Sequence, residues 1–473
     1  MKLLLAHAFT FALLVTTLGT VVLHAAEDSG PQAYEAAVAL QMATRYVEAE
    51  QAAQALVKAR TQAFGAEDKD TLRAKLLLAE VTTDQSKEAE AETQLRKLLP
   101  VVVRVCGAEQ RETLRCQADL GAALVVTGRY TEAERMCSSL IPAATRVLGK
   151  EDWLTLKARR VWVRALIELR KLGPALREAR LVKSDCQRVL GAEDRDALQA
   201  GLLRVLATML QENYTADTTV VPERLLPRLT RVLGAEHRAT LACQTAICMP
   251  VTGASWPMAE TEEQLRRGTS VQTRVLGAKD MDTLRTRLLL ATALDRLGKS
   301  KAAEKEARQV LRAYERALGP EDSAALLSSQ TLLVWILINE KKYTEAAVAA
   351  RTVVANAMRV LGPEDNETLH VRLKLANILE ELKLFPEAEK ERRAVLAVQE
   401  RRLGPKNVET LSNCNNLALC LLEQNKNEEA LPYAQRALAG HLKAEGKDHP
   451  KTQSTQRMVN ELMRRVGKGG GKA

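Results

Sequence analysis

A glycine recurs along almost the whole chain at a spacing of 42 or 43 residues. It lies in a repeated phrase, of which residues 274–284 (Arg-Val-Leu-Gly-Ala-Lys-Asp-Met-Asp-Thr-Leu) are one copy. The series consists of Gly65, Gly107, Gly149, Gly191, Gly234, Gly277, Gly319, Gly362, Gly404 and, more loosely, Gly446. A fixed period of about 20 to 50 residues is typical of stacked repeats, which grow by adding units. The sequence therefore predicts one elongated repeat protein.

The phrase itself predicts where helices end and begin. Val275 and Leu276 end one helix, and Gly277 is expected to take the left-handed backbone conformation that closes it. Asp282 and Thr283 stand where the next helix needs a cap and a negative charge. Two helices per repeat follow from this spacing.

Two amphipathic helical patterns, joined by a short turn, lie between successive glycines. Aromatic residues make up only 3% of the chain, and Ala, Leu, Arg and Glu dominate, so the fold class is predicted to be all-α. Small residues twelve positions apart are expected where the two helices of a hairpin press together, because overpacking there costs about 1–3 kcal/mol. These pairs are Ala37 and Ala49, Ala79 and Ala91, Gly121 and Ala133, Ala291 and Ala303, Ala376 and Ala388, and Ala418 and Ala430.

This spacing, together with residues 128–134 (Gly-Arg-Tyr-Thr-Glu-Ala-Glu) and the pair Leu417 and Ala418, resembles the tetratricopeptide repeat. The longer unit at residues 361–369 (Leu-Gly-Pro-Glu-Asp-x-x-Thr-Leu) is similar to the repeats of kinesin light chains and their bacterial relatives. The resemblance implies a right-handed α-solenoid of about ten antiparallel hairpins, with a C-terminal capping helix. The heptad segment through which light chains join the motor is missing, so motor binding is not implied.

Residues 1–26 differ from the repeats. They combine Lys2, a long apolar run and small residues before Glu27, which resembles a secretory signal peptide. We therefore expect an exported protein, periplasmic or secreted. One alternative is an uncleaved membrane anchor, because the apolar run is long for a signal core. The other is a mistranslated start.

The remaining chain is predicted to have two arms. Proline is costly inside a helix, and three prolines together with acidic residues at small-residue positions interrupt repeats five and six. These residues are Pro222, Pro227, Pro250, Asp217 and Glu260. The predicted divisions are residues 27–214 for the first repeats, 215–257 for a degenerate junction, 258–449 for repeats seven to ten, 450–466 for the cap and 467–473 for a flexible basic tail. The junction is either a hinge or a stretch of drifted repeats.

No constellation of catalytic or metal-ligating residues stands out. The histidines outside the leader lie in different repeats, and the eight cysteines include no Cys-x-x-Cys pair. Most of the cysteines are expected to be small core residues. Lys2 and four cations of the tail account for half of the net charge of +10, which argues against nucleic acid. We expect no enzyme activity, no cofactor and no metal.

The inner groove is the candidate binding surface. In tetratricopeptide repeats the first helix of each hairpin lines this groove. Kinesin light chains, which this chain resembles, use groove cations and asparagines to hold extended acidic peptides. The resemblance therefore implies a protein or peptide partner, held by Arg73, Arg115, Lys157, Arg160, Arg164, Arg285, Trp335, His370, Asn377 and Asn415. An ordinary solvated face is the alternative for these residues. For the whole protein, the alternative is a structural or regulatory solenoid that self-associates as a homo-oligomer without a peptide ligand.

Overall fold

The computed structural model describes residues 30–469, except residues 44, 86, 213–215, 250–257 and 319–323. The predicted signal peptide, Pro250, Gly319 and the last four residues of the predicted tail lie outside the described residues. The described residues form α-helices joined by short turns and contain no β-strand. The predicted all-α solenoid class is confirmed.

Within the described residues, twenty helices follow one another in ten successive pairs, one pair per repeat, and a single helix comes after them. The helices are α1 Pro31–Met42, α2 Tyr46–Phe64, α3 Lys69–Asp84, α4 Glu88–Cys106, α5 Arg111–Val126, α6 Tyr130–Leu148, α7 Trp153–Glu168, α8 Leu172–Leu190, α9 Arg195–Gln211, α10 Ala216–Leu233, α11 Arg238–Ile247, α12 Met258–Val275, α13 Met281–Arg296, α14 Ser300–Ala317, α15 Ala324–Asn339, α16 Tyr343–Val360, α17 Asn366–Glu381, α18 Phe385–Arg402, α19 Val408–Glu423, α20 Asn427–Glu445 and α21 Pro450–Gly469. None of these helices is both long and apolar enough to cross a bilayer.

The chain separates into two compact units. The first comprises Met1–Leu290 and Ala313–Asp322, and the second comprises Ala291–Arg312 and Ser323–Ala473. The boundary thus falls within α13 and α14, the helices of repeat seven. The predicted junction at residues 215–257 lies inside the first unit, so it does not coincide with this boundary. Whether it acts as a hinge stays a prediction.

The prolines of repeat five do not end its second helix. Helix α10 runs through both Pro222 and Pro227, and α4 likewise contains Pro100. A proline removes one backbone donor and crowds the preceding turn. Here Leu225 and Leu229 are buried in the apolar cluster that extends through repeats four to six, and this packing holds the helix in place.

The repeated glycine ends the second helix of a repeat with a positive φ. Gly191 has φ 98° and ψ 155°, and Gly65 and Gly107 are similar. This conformation is the extended positive-φ region, which is essentially restricted to glycine, rather than the left-handed helical region that the sequence suggested. A Cβ at Gly191 would meet no atom within 4 Å, so the restriction is torsional and not a matter of space.

The helix cap lies three residues after the glycine. Asp280 Oδ1 accepts hydrogen bonds from the backbone N–H groups of Asp282, at 3.0 Å, and Thr283, at 3.3 Å. The cap is therefore Asp280 and not Asp282, which lies inside the first turn of α13 and uses its carboxylate elsewhere. In repeat six His237 takes the cap position, and its Nδ1 accepts from the N–H of Ala239 at 3.1 Å.

An arginine in the last turn of the second helix binds the glutamate two positions after the glycine that precedes the same repeat. Arg188 and Glu151 form this ion pair at 2.9 Å. We call the series the arginine–glutamate ladder. Both partners are exposed, and each such pair contributes at most about 1 kcal/mol. The other pairs are Arg104 with Glu67, Arg146 with Glu109, Arg231 with Glu193, Arg274 with Glu236 and Arg401 with Glu364.

Small residues lie where helices approach most closely. The alanines of the predicted pairs are fully buried. A Cβ on Gly121 of α5 would lie 3.2 Å from Sγ of Cys137 on α6 and 3.4 Å from Cγ1 of Val161 on α7. Glycine at this position therefore lets three helices meet, as the spacing predicted.

Helix α21 covers the last repeat. Its residues Met458, Val459 and Leu462 are buried in one cluster with Leu417 of α19 and Ala434 of α20. This is the position that the sequence assigned to a capping helix. The helix continues to Gly469, into the segment predicted to be a flexible tail.

Replacing Gly191 with alanine is expected to lower the free energy of unfolding by about 1–3 kcal/mol, because alanine would have to adopt the glycine-only conformation. Gly173 provides the control, since it is exposed in the first turn of α8 and has no positive φ. Alanine at that position should be neutral or stabilise by up to about 1 kcal/mol. Denaturant unfolding followed by circular dichroism measures both changes, and equal effects would contradict the assignment.

Candidate functional site

The ten predicted partner-binding residues divide between the two units. Six lie in the first unit and four in the second. The six are Arg73, Arg115, Lys157, Arg160, Arg164 and Arg285, and the four are Trp335, His370, Asn377 and Asn415. Their surroundings differ between the two units.

In the first unit, two of the predicted cations belong to a compact cluster of charges. Arg115 lies 2.5 Å from a carboxylate oxygen of Glu80 and donates to the hydroxyl of Tyr34 at 3.0 Å. Lys157 Nζ lies 2.6 Å from Asp119 and 3.1 Å from Glu80. These groups come from α1, α3, α5 and α7, so the first helices of four successive repeats meet here.

The buried charges of this cluster shift one another's pKa values. Burial opposes the ionisation of Glu80, but Lys157 and Arg115 outweigh it and lower the pKa of Glu80 to about 2. Burial alone would lower the pKa of Lys157, whereas Asp119 and Glu80 raise it above its ordinary value. Burial raises the pKa of Asp119 despite the nearby cations. The cations of this cluster are thus held by internal carboxylates.

A second group of charges joins residues that are far apart in the sequence. Arg164 lies 2.9 Å from Glu168 on its own helix and 2.5 Å from Asp282 at the start of α13. Arg285 in turn binds Glu168. Repeat four is therefore tied to the beginning of repeat seven by ion pairs that run in both directions.

Arg238 completes this connection. Its guanidinium lies 2.5 Å from Glu88 of α4, 2.8 Å from Asp280 and 2.9 Å from Asp282. Repeats two, six and seven therefore meet at one arginine. We call this set and the two groups above the inner network, since its members come mainly from first helices.

The other two cations of the first unit are also paired. Arg160 is buried and lies 2.7 Å from Asp196. Arg73 is about half exposed and lies 2.5 Å from Glu112. All six cations of the first unit that the sequence predicted to bind a partner therefore have a carboxylate partner within the protein. The sequence pattern gave no indication of these partners.

In the second unit, Trp335 and His370 lie together. Their ring centroids are 6.2 Å apart, and Nζ of Lys374 lies 4.1 Å from the centroid of the Trp335 ring. Burial lowers the pKa of Lys374, and partial burial together with the charge of Lys374 lowers the pKa of His370. Lys374 has no carboxylate within ion-pair distance among the described residues. It was not predicted, since it lies outside the helix positions that the family pattern indicates.

The predicted asparagines are held in place by neighbouring side chains. The buried Arg392 donates to Oδ1 of Asn377 at 2.6 Å and also binds Glu380. Asn415 Oδ1 accepts a hydrogen bond from the hydroxyl of Thr455 at 3.0 Å. Asn377 is an exposed residue, and because it accepts through its oxygen, its Nδ2 group remains a hydrogen-bond donor.

Two pockets of about 530 and 840 Å³ adjoin these residues. They share Val408, Ser412 and Asn416, and together we call them the second-unit groove. The first is bordered by α17, α18 and α19, and the second by α19, α20 and α21. Seven Lys or Arg residues line the groove, compared with two carboxylates among the described residues. The basic residues are Lys374, Arg392, Arg402, Lys406, Arg436, Lys443 and Lys451, and the acidic ones are Glu409 and Glu445.

The cysteine thiols are buried side chains with raised pKa values, apart from the half-buried Cys106. All eight cysteines are free, and all but Cys106 are buried. Burial raises the pKa of Cys116, Cys137 and Cys243 to about 12, so these thiols stay protonated. Over the described part of the chain, no cluster of three or more His, Cys, Asp or Glu side chains is arranged to hold a metal ion.

Two segments match family models described as tetratricopeptide repeat. They are residues 283–324, in repeat seven, and residues 367–443, which cover repeats nine and ten. These segments carry tetratricopeptide repeats, so that prediction is confirmed. Such repeats act in protein–protein interaction, and the solenoid they build is typically non-catalytic. No curated protein matches the chain.

Solved structures of repeat proteins are similar to parts of the chain. BtubC (BKLC) from P. vanneervenii is 19% identical over 45% of this chain and 85% of its own, with a TM-score of 0.37. TPR-like repeats of a Podosopora anserina kinesin light chain are 18% identical over 43% and 95%, with a TM-score of 0.32. A Rap protein complexed with competence and sporulation factor is 12% identical over 76% and 100%, with a TM-score of 0.47.

Replacing Lys157 with methionine is expected to lower the free energy of unfolding by about 3 kcal/mol, because Glu80 and Asp119 would lose a partner in a largely buried position. Adding Asp119→Asn should recover part of this loss, since the charges would again be closer to balance. Arg104→Met is the control, because Arg104 and Glu67 form an exposed pair. Comparable losses from Lys157→Met and Arg104→Met in denaturant unfolding would contradict the proposed importance of the inner network.

Proposed function

We propose that this chain of tetratricopeptide repeats is a non-catalytic interaction scaffold, and that an extended acidic segment of a partner protein binds in the second-unit groove. The observation that carries the proposal is the excess of cations over carboxylates along that groove. An extended segment suits a long open surface formed by successive helices better than a compact ligand does.

Several of the groove cations have no internal carboxylate partner. Nζ of Lys374 lies over the Trp335 ring, and the guanidinium of Arg402 donates to the backbone carbonyl of Glu364. Charge-assisted hydrogen bonds to such groups are about twice as strong as neutral ones. Carboxylates of a bound segment would supply the partners that are missing among the described residues.

Amide groups provide the second element of recognition. Asn377 and Asn416 line the same pocket as Lys374. An amide side chain can both donate to and accept from a peptide backbone, which holds an extended segment without regard to its sequence. The cations would then select for acidic side chains, and the ring of Trp335 would give Lys374 a fixed position.

The ion pairs of the first unit also favour the second unit as the site of peptide binding. Its predicted groove cations already bind carboxylates, including Glu80, Asp119 and Asp282. An acidic segment would have to displace these internal partners, which lie at optimal distances in a largely buried site. We therefore assign peptide binding to the second unit alone, and not to Arg115, Lys157 or Arg164 as the helix positions had suggested.

A labelled poly-glutamate peptide is expected to bind the protein, with an affinity that falls as salt concentration rises. The double variant Lys374→Met, Asn377→Ala should weaken binding by about tenfold or more, since it removes a cation and an amide donor. Fluorescence anisotropy measures both effects. Lys390→Met is the control, because Lys390 is exposed on α18 and does not line the groove.

Two results would count against this function. One is binding by the double variant that equals that of the unaltered protein. The other is a protein that forms concentration-dependent oligomers in light scattering and binds no acidic peptide, which would favour a self-associating solenoid. A self-associating form that still binds the peptide would leave the groove assignment intact.

We also propose that the protein is exported. The proposal rests on the resemblance of residues 1–26 to a secretory signal peptide. Expression in the native host should give a mature chain that begins near Glu27 in the exported fraction, as determined by N-terminal mass spectrometry. A chain that keeps Met1 and is found in the cytosolic fraction would contradict export, and one that keeps Met1 in the membrane fraction would support the anchor.

A further inference from the structure

The arginine–glutamate ladder changes its chemistry in repeat ten. Six repeats pair an arginine at the end of the second helix with a glutamate in front of the first helix, and the two residues are 37 or 38 positions apart. In repeat ten the equivalent residues are Lys443 and Lys406, which are 37 positions apart. Two cations therefore occupy the positions that an ion pair occupies elsewhere.

Among the described residues, neither lysine has a substitute carboxylate partner. No carboxylate lies within ion-pair distance of Lys406 or Lys443 in the part of the chain that the structure describes. Their neighbours are already engaged: Arg436 lies 2.5 Å from Glu400, and Lys451 lies 3.5 Å from Glu445. Two like charges at neighbouring positions repel one another, so an anion placed between them would be favoured.

Both lysines line the larger pocket of the second-unit groove, which has a volume of about 840 Å³. Ser412 and Ser454 line it as well, and their hydroxyl groups can donate to an anion. Repeat seven also has a lysine, Lys279, at the glutamate position, but that residue lines neither pocket of the groove. The coincidence of the charge change with a pocket is therefore a property of repeat ten.

We propose that Lys406 and Lys443 form an anion subsite that receives one acidic group of the bound segment, either a carboxylate or a phosphoryl group. This rests on the proposed function for the identity of the segment, but it specifies where one of its charges is bound. Lysine binds such groups as a mobile point charge, so the site is expected to accept both kinds of anion. The subsite lies at the α21 side of the groove, beyond Asn416.

The replacement Lys406→Glu tests the subsite because it restores the ladder pair that other repeats contain. It should leave the midpoint of unfolding unchanged or raise it, while weakening the binding of a labelled poly-glutamate peptide by about tenfold or more. Lys279→Glu is the matched control, since it makes the same charge change in the equivalent loop of repeat seven. Its peptide affinity should stay within about twofold of that of the unaltered protein.

Two further probes separate the sources of the anion and the two proposals. A phosphoserine peptide and a glutamate peptide of the same length show whether the subsite prefers phosphoryl groups or carboxylates, and a loss for either peptide on Lys406→Glu supports the subsite. Inorganic pyrophosphate tests it without any peptide. If no peptide binds, but pyrophosphate raises the unfolding temperature of the unaltered protein and not of Lys406→Glu, the subsite stands and the proposed function fails.

The opposite failure is equally distinct. If Lys406→Glu binds both peptides as the unaltered protein does, while Lys374→Met, Asn377→Ala loses binding, the groove function stands and the subsite is overturned. The subsite is also overturned if Lys406→Glu and Lys279→Glu weaken peptide binding equally, since the effect would then be one of net charge. It falls as well if neither the peptides nor pyrophosphate distinguish Lys406→Glu from the unaltered protein.

Discussion

Each helix hairpin of this protein depends on its neighbours to bury its apolar faces. The cluster that contains Leu203, Leu225 and Ala242 extends through repeats four to six, and no single repeat of this stretch encloses it. Stability in such a chain is approximately a sum of contributions from repeats and from the interfaces between them. This dependence explains why α10 continues through Pro222 and Pro227: the interface on either side outweighs the local cost of the two prolines.

Because the repeats pack on one another, polar residues at their interfaces need partners from neighbouring repeats. In the first unit, several of the side chains that first helices present to one another are charged, and they form ion pairs with one another. Arg238 meets Glu88 from repeat two and Asp282 from repeat seven, so the ion pairs join repeats that are distant in the chain. Taking such charges out of water is favourable only when partners are close. In the first unit, these helix positions thus form internal ion pairs. We propose that the corresponding surface of the second unit binds a ligand instead.

The sequence alone predicts the features that recur in each repeat. It does not predict the contacts that join repeats distant in the chain. The glycine period predicted the ten hairpins, and the twelve-residue spacing of small residues predicted Gly121, because these features depend on contacts within one repeat or with the next. It misplaced the cap, since Asp280 and Asp282 are both acidic and only the backbone geometry separates their roles. The pairing of Arg164 with Asp282 could not be predicted, because nothing local in the sequence relates α7 to the start of α13. Lys374 was missed because its position relative to Trp335 depends on how repeat eight packs on repeat nine.

In a repeat protein, each position can be compared with the equivalent position in the other repeats. The other repeats show which contacts that position makes when its role is only structural. The glutamate after the repeated glycine binds an arginine in six repeats, which makes its replacement by Lys406 informative in a way that a single surface lysine is not. An exposed ion pair of this kind contributes little to stability, so its loss is readily tolerated. The groove in which the lysines lie already has an excess of cations. Position 406 can therefore change at little cost in stability, and a lysine there adds to the positive charge of the groove. A stacked repeat can gain a binding function at such a position without disturbing its neighbours.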